Sequence, residues 1–381
     1  MRYNSVDKLQ KHLQEKVFGH TQSPKKAAGR ALGTIVEIIT FYLLKSWGYE
    51  HSISIEKKVP EFGFTEITHN VEFSLHPVLK QYDVEIDFNG SSITSTKLIN
   101  SIIGNYKSFS IDKKFNNNLL SKDGVIRNAC TIGSIKGYYL VANIVEKHKK
   151  KYYITINKQW SKPYCIFECK RVGIEEGCKK GPQTIEKAKQ GAYVAKTVSS
   201  LQKVRLPSGE LYGIIYKGDK IVKSEPYYKL LNEVINSNQS DLLENFILTV
   251  GVVSNHGNWF TAENHNKELK VLAQAYDWLL FLTDEGITSF ISDVILEPKR
   301  EYKAIKNAFH ASYNKSQKAA NQFTKVKMNS QADSQLTDYF NENREKISGW
   351  FNLISPNGNN VADLIKLIDI LNQKEWSKII K

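Results

Sequence analysis

Apolar and polar residues alternate along this chain with two periods, and each change of period marks an element. Residues 23–48, "SPKKAAGRALGTIVEIITFYLLKSWG", place Ala31, Ile35, Ile38 and Tyr42 on one helical stripe. Ser23 can cap that helix, Pro24 suits its first turn and Gly48 its end. Glu37 lies off the stripe. Period two takes over between 50 and 95, in "HSISIEKKV", "HNVEFSLHPV" and "YDVEIDF". Residues 96–121 are polar and mixed, with "FNNN" read as a loop.

From 123 the alternation returns in "GVIRNACTIGS", "GYYLVANIVE", "YYITINK" and "PYCIFECKR". Short turns between them predict an antiparallel meander. "GPQTIEKAKQGAYVAKTVSSLQKV" has helical spacing, with Ala188, Ala192, Ala195, Val198 and Leu201 on one side. "LYGIIYK" and "NFILTVGVVSN" read as strands, the second apolar throughout and suited to a sheet interior. "KELKVLAQAYDWLLFL" reads as a helix. Beyond 300 the chain is polar and helical in pattern. The expected division is 1–299, carrying added strands near 50–120, and a helical appendage at 300–381.

One strand breaks its own pattern. In "YCIFECKRVG", side chains two apart share a face, so Tyr164, Ile166, Glu168 and Lys170 line one side and Phe167 and Cys169 the other. A carboxylate and an ammonium at the end of a buried run are costly unless they pair or hold a ligand. Glu-x-Lys recurs along the chain. Glu56/Lys58 sits on a polar face with Ser52 and Ser54, Glu268/Lys270 in the predicted helix, and Glu297/Lys299 next to Pro298. Only Glu168/Lys170 closes an apolar strand and turns through Gly173 toward a helix.

Charge sharpens that picture. The 381 residues carry 53 Lys and Arg against 39 Asp and Glu, a net +14, which favours polyanionic partners. Residues 146–205 alone hold fifteen Lys and Arg against five Glu. The four cysteines form no C-x-x-C pair and read as free thiols. No apolar leader opens the chain and no run of eighteen apolar residues interrupts it, so a cytoplasmic protein is expected.

An apolar strand ending in Glu168-x-Lys170, followed by a helix carrying Gln190-x-x-Tyr193, resembles the PD-(D/E)XK nuclease superfamily, type II restriction endonucleases in particular. The resemblance covers roughly residues 24–255. It implies an α/β fold: a restriction-endonuclease-like core with a mixed central sheet flanked by helices, plus added strands and a C-terminal helical region. It also implies Mg2+-dependent hydrolysis of double-stranded DNA at a specific sequence. Glu168, the Cys169 backbone carbonyl and Glu37 would then face the metal, and Lys170 the scissile phosphate. Arg171, Lys179, Lys180, Lys187, Gln190 and Tyr193 would contact DNA. A homodimer and a cognate DNA methyltransferase are the implied partners.

The family pattern also asks for an acidic residue before Glu168, and here the chain departs from it. Residues 147–167 hold no Asp or Glu, and Pro-Asp is absent. Asp123, in "SKDGVIRN", opens the expected meander and is the favoured candidate; Asp87 and Asp83 are the alternatives. Asp123-Gly124 is also an ordinary hairpin-turn pair. His69 and His76, seven apart, would fall on opposite faces of a strand. Other readings stay open: a structure-specific or modification-dependent nuclease, or a non-catalytic nucleic-acid-binding protein in which Glu168–Lys170 is a structural ion pair.

Overall fold

The computed structural model describes residues 5–62, 68–87, 89–105, 111–148, 151–173, 191–218, 220–256, 267–313, 321–354 and 360–380. It is a mixed α/β protein that divides into two units, each assembled from separate stretches of chain. The first comprises 1–55, 78–161 and 284–350, and the second 56–77, 162–283 and 351–381. Residues 300–350 therefore belong with the N-terminal helices, and residues 351–381 with the other unit.

The first unit is built on a five-stranded antiparallel sheet. Its order is Val78–Asp87, Lys151–Trp160, Tyr138–His148, Cys130–Ile135, Lys113–Lys114. Alternation sends Tyr82, Val84 and Ile86 inward with Ile154 and Ile156. Leu98, Ile99 and Ile102 cover them. They come from a helix, Ser95–Asn105, in a stretch that read only as polar and mixed. The helix was masked by its serines, threonine and asparagines, yet its apolar residues recur at helical spacing. A smaller sheet joins Lys327–Asn329, Val125–Arg127, Asn118–Leu120 and Ile93–Thr94. The expected N-terminal helix forms at Pro24–Ser46. It is long and apolar enough to cross a membrane by length and composition alone, but most of its apolar window is buried.

The second unit holds five strands and the Glu56–Lys58 end of a sixth in one mixed sheet whose order is its chain order: β1 (Ile53–Lys58), β2 (Asn70–Leu75), β3 (Cys165–Gly173), β4 (Leu248–His256), β5 (Trp278–Leu282) and β6 (Phe351–Ile354). β2 runs antiparallel to β3, with Leu75, Ser74 and Phe73 opposite Cys165, Ile166 and Phe167. β3, β4 and β5 are mutually parallel and β6 is antiparallel to β5. Parallel interior strands are covered on both faces, which explains the continuous apolar runs of β4 and β5. β5 is "WLLFL", buried at every residue. A helix was expected through 267–282, but the structure ends it at Ala275 and turns at Tyr276 and Asp277 into β5. Periodicity alone does not separate a short apolar strand from a buried helical turn.

The expected meander is corrected as well. Lys151–Trp160 stays in the first unit's sheet, and β3 pairs instead with β2 and β4. The helix predicted after β3 is described over 191–198, where Ala192, Ala195 and Val198 are buried as expected. It stops before Leu201–Arg205, which opens a three-stranded antiparallel sheet with Leu211–Lys217 and Lys220–Pro226.

Candidate active site

Glu168 lies near the middle of β3, fully buried. β2 stops pairing with β3 at Phe73–Phe167, one step before it. Ser74 and Ile166 sit opposite each other, so two residues on, Glu72 of β2 faces the same side as Glu168 of β3. Glu72 stands at that edge: its Oε2 accepts a hydrogen bond from the Cys169 backbone N–H at 3.0 Å. Lys170, next on the Glu168 face, puts its Nζ 3.2 Å from Glu168 Oε2 and 3.9 Å from Glu72 Oε1. His69, just before β2, brings Nε2 to 3.5 Å from Glu168 Oε2. Two carboxylates, a lysine and a histidine thus converge where antiparallel pairing ends.

The electrostatics are those of a tight charge cluster. Burial pushes the Glu168 carboxyl up, but His69 and the Lys170 ammonium pull it down further, leaving it below the usual carboxylate range. For Lys170, burial acts downward, and the Glu168 and Glu72 charges outweigh it, holding the ammonium above its ordinary value. Glu168 is ionised and Lys170 protonated at neutral pH. Both Glu168 carboxylate oxygens are buried; Oε2 has the Lys170 ammonium and His69 Nε2 as its neighbours, whereas Oε1 has no hydrogen-bond partner among the described residues. Buried polar atoms of native proteins are nearly always satisfied, so an oxygen left in this way calls for water or a cation.

A magnesium ion fits that demand in part. It takes oxygen ligands, keeps several waters and needs only one or two carboxylates. Glu72 and Glu168 supply two. The Cys169 N–H points to the β2 edge, and the carbonyl of a strand residue points the same way as its N–H. Among the described residues, however, no group of three or more His, Cys, Asp and Glu side chains is arranged so that it could hold a metal ion.

The opposite wall comes from β4 and the segment before β5. Gly251 is the β4 partner of Glu168. A Cβ there would lie 2.6 Å from Leu279 Cδ1 and 3.0 Å from the Tyr276 ring, so glycine is what admits that ring beside Glu168. At Gly191, the first described residue of the helix that runs to 198, a Cβ would meet Tyr276 Oη at 2.8 Å and Lys170 Cε at 3.2 Å.

The residues expected from sequence fall into three groups. Glu168, Lys170 and the Cys169 backbone are together. Tyr193 is 61 % exposed on helix 191–198, the outward side of that helix. Arg171 continues β3, its side chain outside the described residues, as are Lys179, Lys180, Lys187 and Gln190. Glu37 belongs to the first unit, where it pairs with Lys325 at 3.3 Å. Asp123 is also there, in the turn between Asn118–Leu120 and Val125–Arg127, with Gly124 at φ +74°. That is the hairpin-turn role its Asp-Gly pair allowed. Asp83 and Asp87 are exposed along Val78–Asp87, with Asp83 accepting from Gln81 Nε2 at 3.1 Å. The carboxylate that the second unit sets beside Glu168 is Glu72, which sequence reasoning passed over. Its signal was present: Asn70, Glu72, Ser74 and His76 share one parity, opposite Val71, Phe73 and Leu75. His76 itself is buried and paired with Ser74 at 2.7 Å.

No family model, curated protein or solved structure matches this chain.

Proposed function

We propose that this protein is a Mg2+-dependent DNA endonuclease of the PD-(D/E)XK type, cutting duplex DNA at a specific sequence as type II restriction enzymes do. The observation that carries the reading is Glu168: a buried, ionised carboxylate whose Oε1 has no hydrogen-bond partner among the described residues, faced by Glu72 and followed two residues later by Lys170. The strand order supports it. An antiparallel β2–β3 pair, the helix described at 191–198 and a parallel β4 are compatible with such a core, although among the described residues the meander expected before β3 is absent, and Glu72 would take the place of the missing acidic residue.

In this reading Glu72, Glu168 and the Cys169 carbonyl hold the ion, whose chemistry is to activate a water and neutralise phosphate charge. Glu168 is already deprotonated and so binds without losing a proton. Lys170, held protonated by its two carboxylate neighbours, supplies a cation for the scissile phosphate. Arg171, Lys179, Lys180, Lys187, Gln190 and Tyr193 contact the DNA, and cleavage of both strands calls for a homodimer. A partner methyltransferase would protect the host's own sites.

The test is plasmid cleavage with 5 mM Mg2+ or Mn2+, a condition on the order of that used for such ions. The wild type is expected to give discrete fragments, and Glu168→Ala, Glu72→Ala and Lys170→Ala to lose about a hundredfold or more in rate. A wild type inert with every divalent metal, yet still binding DNA, would mean that the Glu168–Lys170 pair is structural. Cleavage confined to branched or methylated DNA would move the substrate to the structure-specific or modification-dependent class.

A further inference from the structure

Tyr276 is a residue whose main chain is pinned from several directions while its side chain is left with a hydrogen bond to give. Its N–H donates to Leu272 O at 3.0 Å, and its carbonyl accepts from Lys203 Nζ at 2.6 Å. Asp277, next in the chain, is buried and tied to β4: Oδ2 accepts from the Thr249 N–H at 2.7 Å and from Thr249 Oγ1 at 2.9 Å. The other Asp277 oxygen takes the Tyr227 hydroxyl. The Tyr276 hydroxyl itself is buried and has no hydrogen-bond partner.

The placement of the ring follows from the two glycines. Register partners in neighbouring parallel strands face the same way, so Gly251 would present a Cβ on the Glu168 side of the sheet. The Tyr276 ring fills that space, and its hydroxyl reaches the point where Gly191 meets Lys170 Cε. The ring therefore runs alongside the face that carries Glu168 and then Lys170. Two buried polar atoms there, Tyr276 Oη and Glu168 Oε1, have no hydrogen-bond partner among the described residues. One can donate and the other accepts.

We propose that Tyr276 is a positioning residue of the candidate site: its hydroxyl donates through one bound water to the Glu168 carboxylate and holds the Glu168–Lys170 pair in its working geometry. The assignment rests on the nuclease reading and adds to it a residue that no sequence motif marks. Burial, and then the nearby Glu168 and Glu72 charges, push the Tyr276 phenol well above its ordinary value, so the proton it donates is present throughout the working pH range. Simple packing would need the ring alone, and phenylalanine would serve as well.

The experiment compares wild type, Tyr276→Phe, Gly191→Ala and Glu168→Ala as full-length proteins. Tyr276→Phe keeps the ring and removes only the hydroxyl. It should melt within a few degrees of the wild type, bind Mn2+ about tenfold more weakly by calorimetry, and cleave with kcat down about tenfold at unchanged KM for DNA. Gly191→Ala, whose methyl group displaces the hydroxyl, should reproduce the weaker Mn2+ binding. Tyr276→Phe with wild-type Mn2+ affinity and kcat, beside an inactive Glu168→Ala, overturns the role of Tyr276 and leaves the nuclease reading standing. A rise in KM alone also overturns it, because it would place the hydroxyl in DNA binding. A wild type that neither binds Mn2+ nor cleaves overturns both.

Discussion

Glu168 shows how one residue can be an energetic liability and a functional signal together. Its burial is tolerated because Lys170 and His69 stand close, with Glu72 drawing Lys170 from the other side. Removing one member of a buried ion pair leaves the other charge uncompensated and commonly costs about 3–5 kcal/mol. Lys170→Met should therefore destabilise the metal-free protein by about 3 kcal/mol near pH 8, less if His69 takes over part of the pairing. The pH dependence has a definite sign. In the wild type Glu168 titrates below its unfolded value, so its contribution is present at neutral pH and is lost as pH falls through the folded pKa. Without Lys170 the burial cost is less opposed and that pKa moves up. The folded variant then takes up a proton more readily, and the deficit relative to wild type shrinks as the pH is lowered. Urea melts of both proteins between pH 5 and about 8 measure this; a deficit independent of pH would show that Glu168 is not the strained partner.

Strands and helices were more legible than the contacts between them. The β3 run, the β4 run, "LYGIIYK" and the Pro24–Ser46 helix all formed where their patterning put them, because each carries its own period and punctuation. Pairing was not legible in the same way. Glu72 and Cys169 are 97 residues apart, and nothing local distinguishes that partnership from the nearer strands of the first unit. Asp123 drew attention because it precedes β3 in the chain, yet Lys151–Trp160 turns back into its own sheet before β3 begins. Tyr276 was hidden inside what read as one long helix. The β4–β5 contact offers a test at this scale. Alanine is the better residue by backbone propensity, but at Gly251 its methyl group would sit 2.6 Å from Leu279 Cδ1 and 3.0 Å from the Tyr276 ring. Overpacking of that kind costs about 1–3 kcal/mol. Gly251→Ala is expected to lower stability by about 2 kcal/mol and, by shifting the ring, to weaken Mn2+ binding as Gly191→Ala does. Equal stability to wild type would mean that Leu279 and Tyr276 give way freely.

At the scale of the whole molecule the surplus of positive charge is the quantity that sequence reports most directly. The net +14 is concentrated in residues 146–205. Lys151 and Lys158 of that stretch lie on the first unit's sheet and Lys170 and Lys203 in the second unit, so the surplus is shared by both units rather than confined to one tail. Lys170 and Lys203 are engaged within the protein, Lys203 with the carbonyls of Ala273 and Tyr276. That leaves the lysines flanking "GIEEG", and those of the segment before helix 191–198, as the sequence's candidates for phosphate. Each phosphate neutralised on duplex DNA releases counterions and adds about 0.9 to the slope of log K against log salt. Lys179→Ala, Lys180→Ala and Lys187→Ala combined should therefore reduce that slope by about 2–3, with Ca2+ replacing Mg2+ to hold cleavage back. Anisotropy of a labelled duplex between about 50 and 200 mM NaCl is the measurement. An unchanged slope would place the phosphate contacts elsewhere. A reduced slope with an unchanged fragment pattern on plasmid DNA would assign these lysines to the DNA backbone and leave base reading to other residues, since phosphate contacts carry no sequence information themselves.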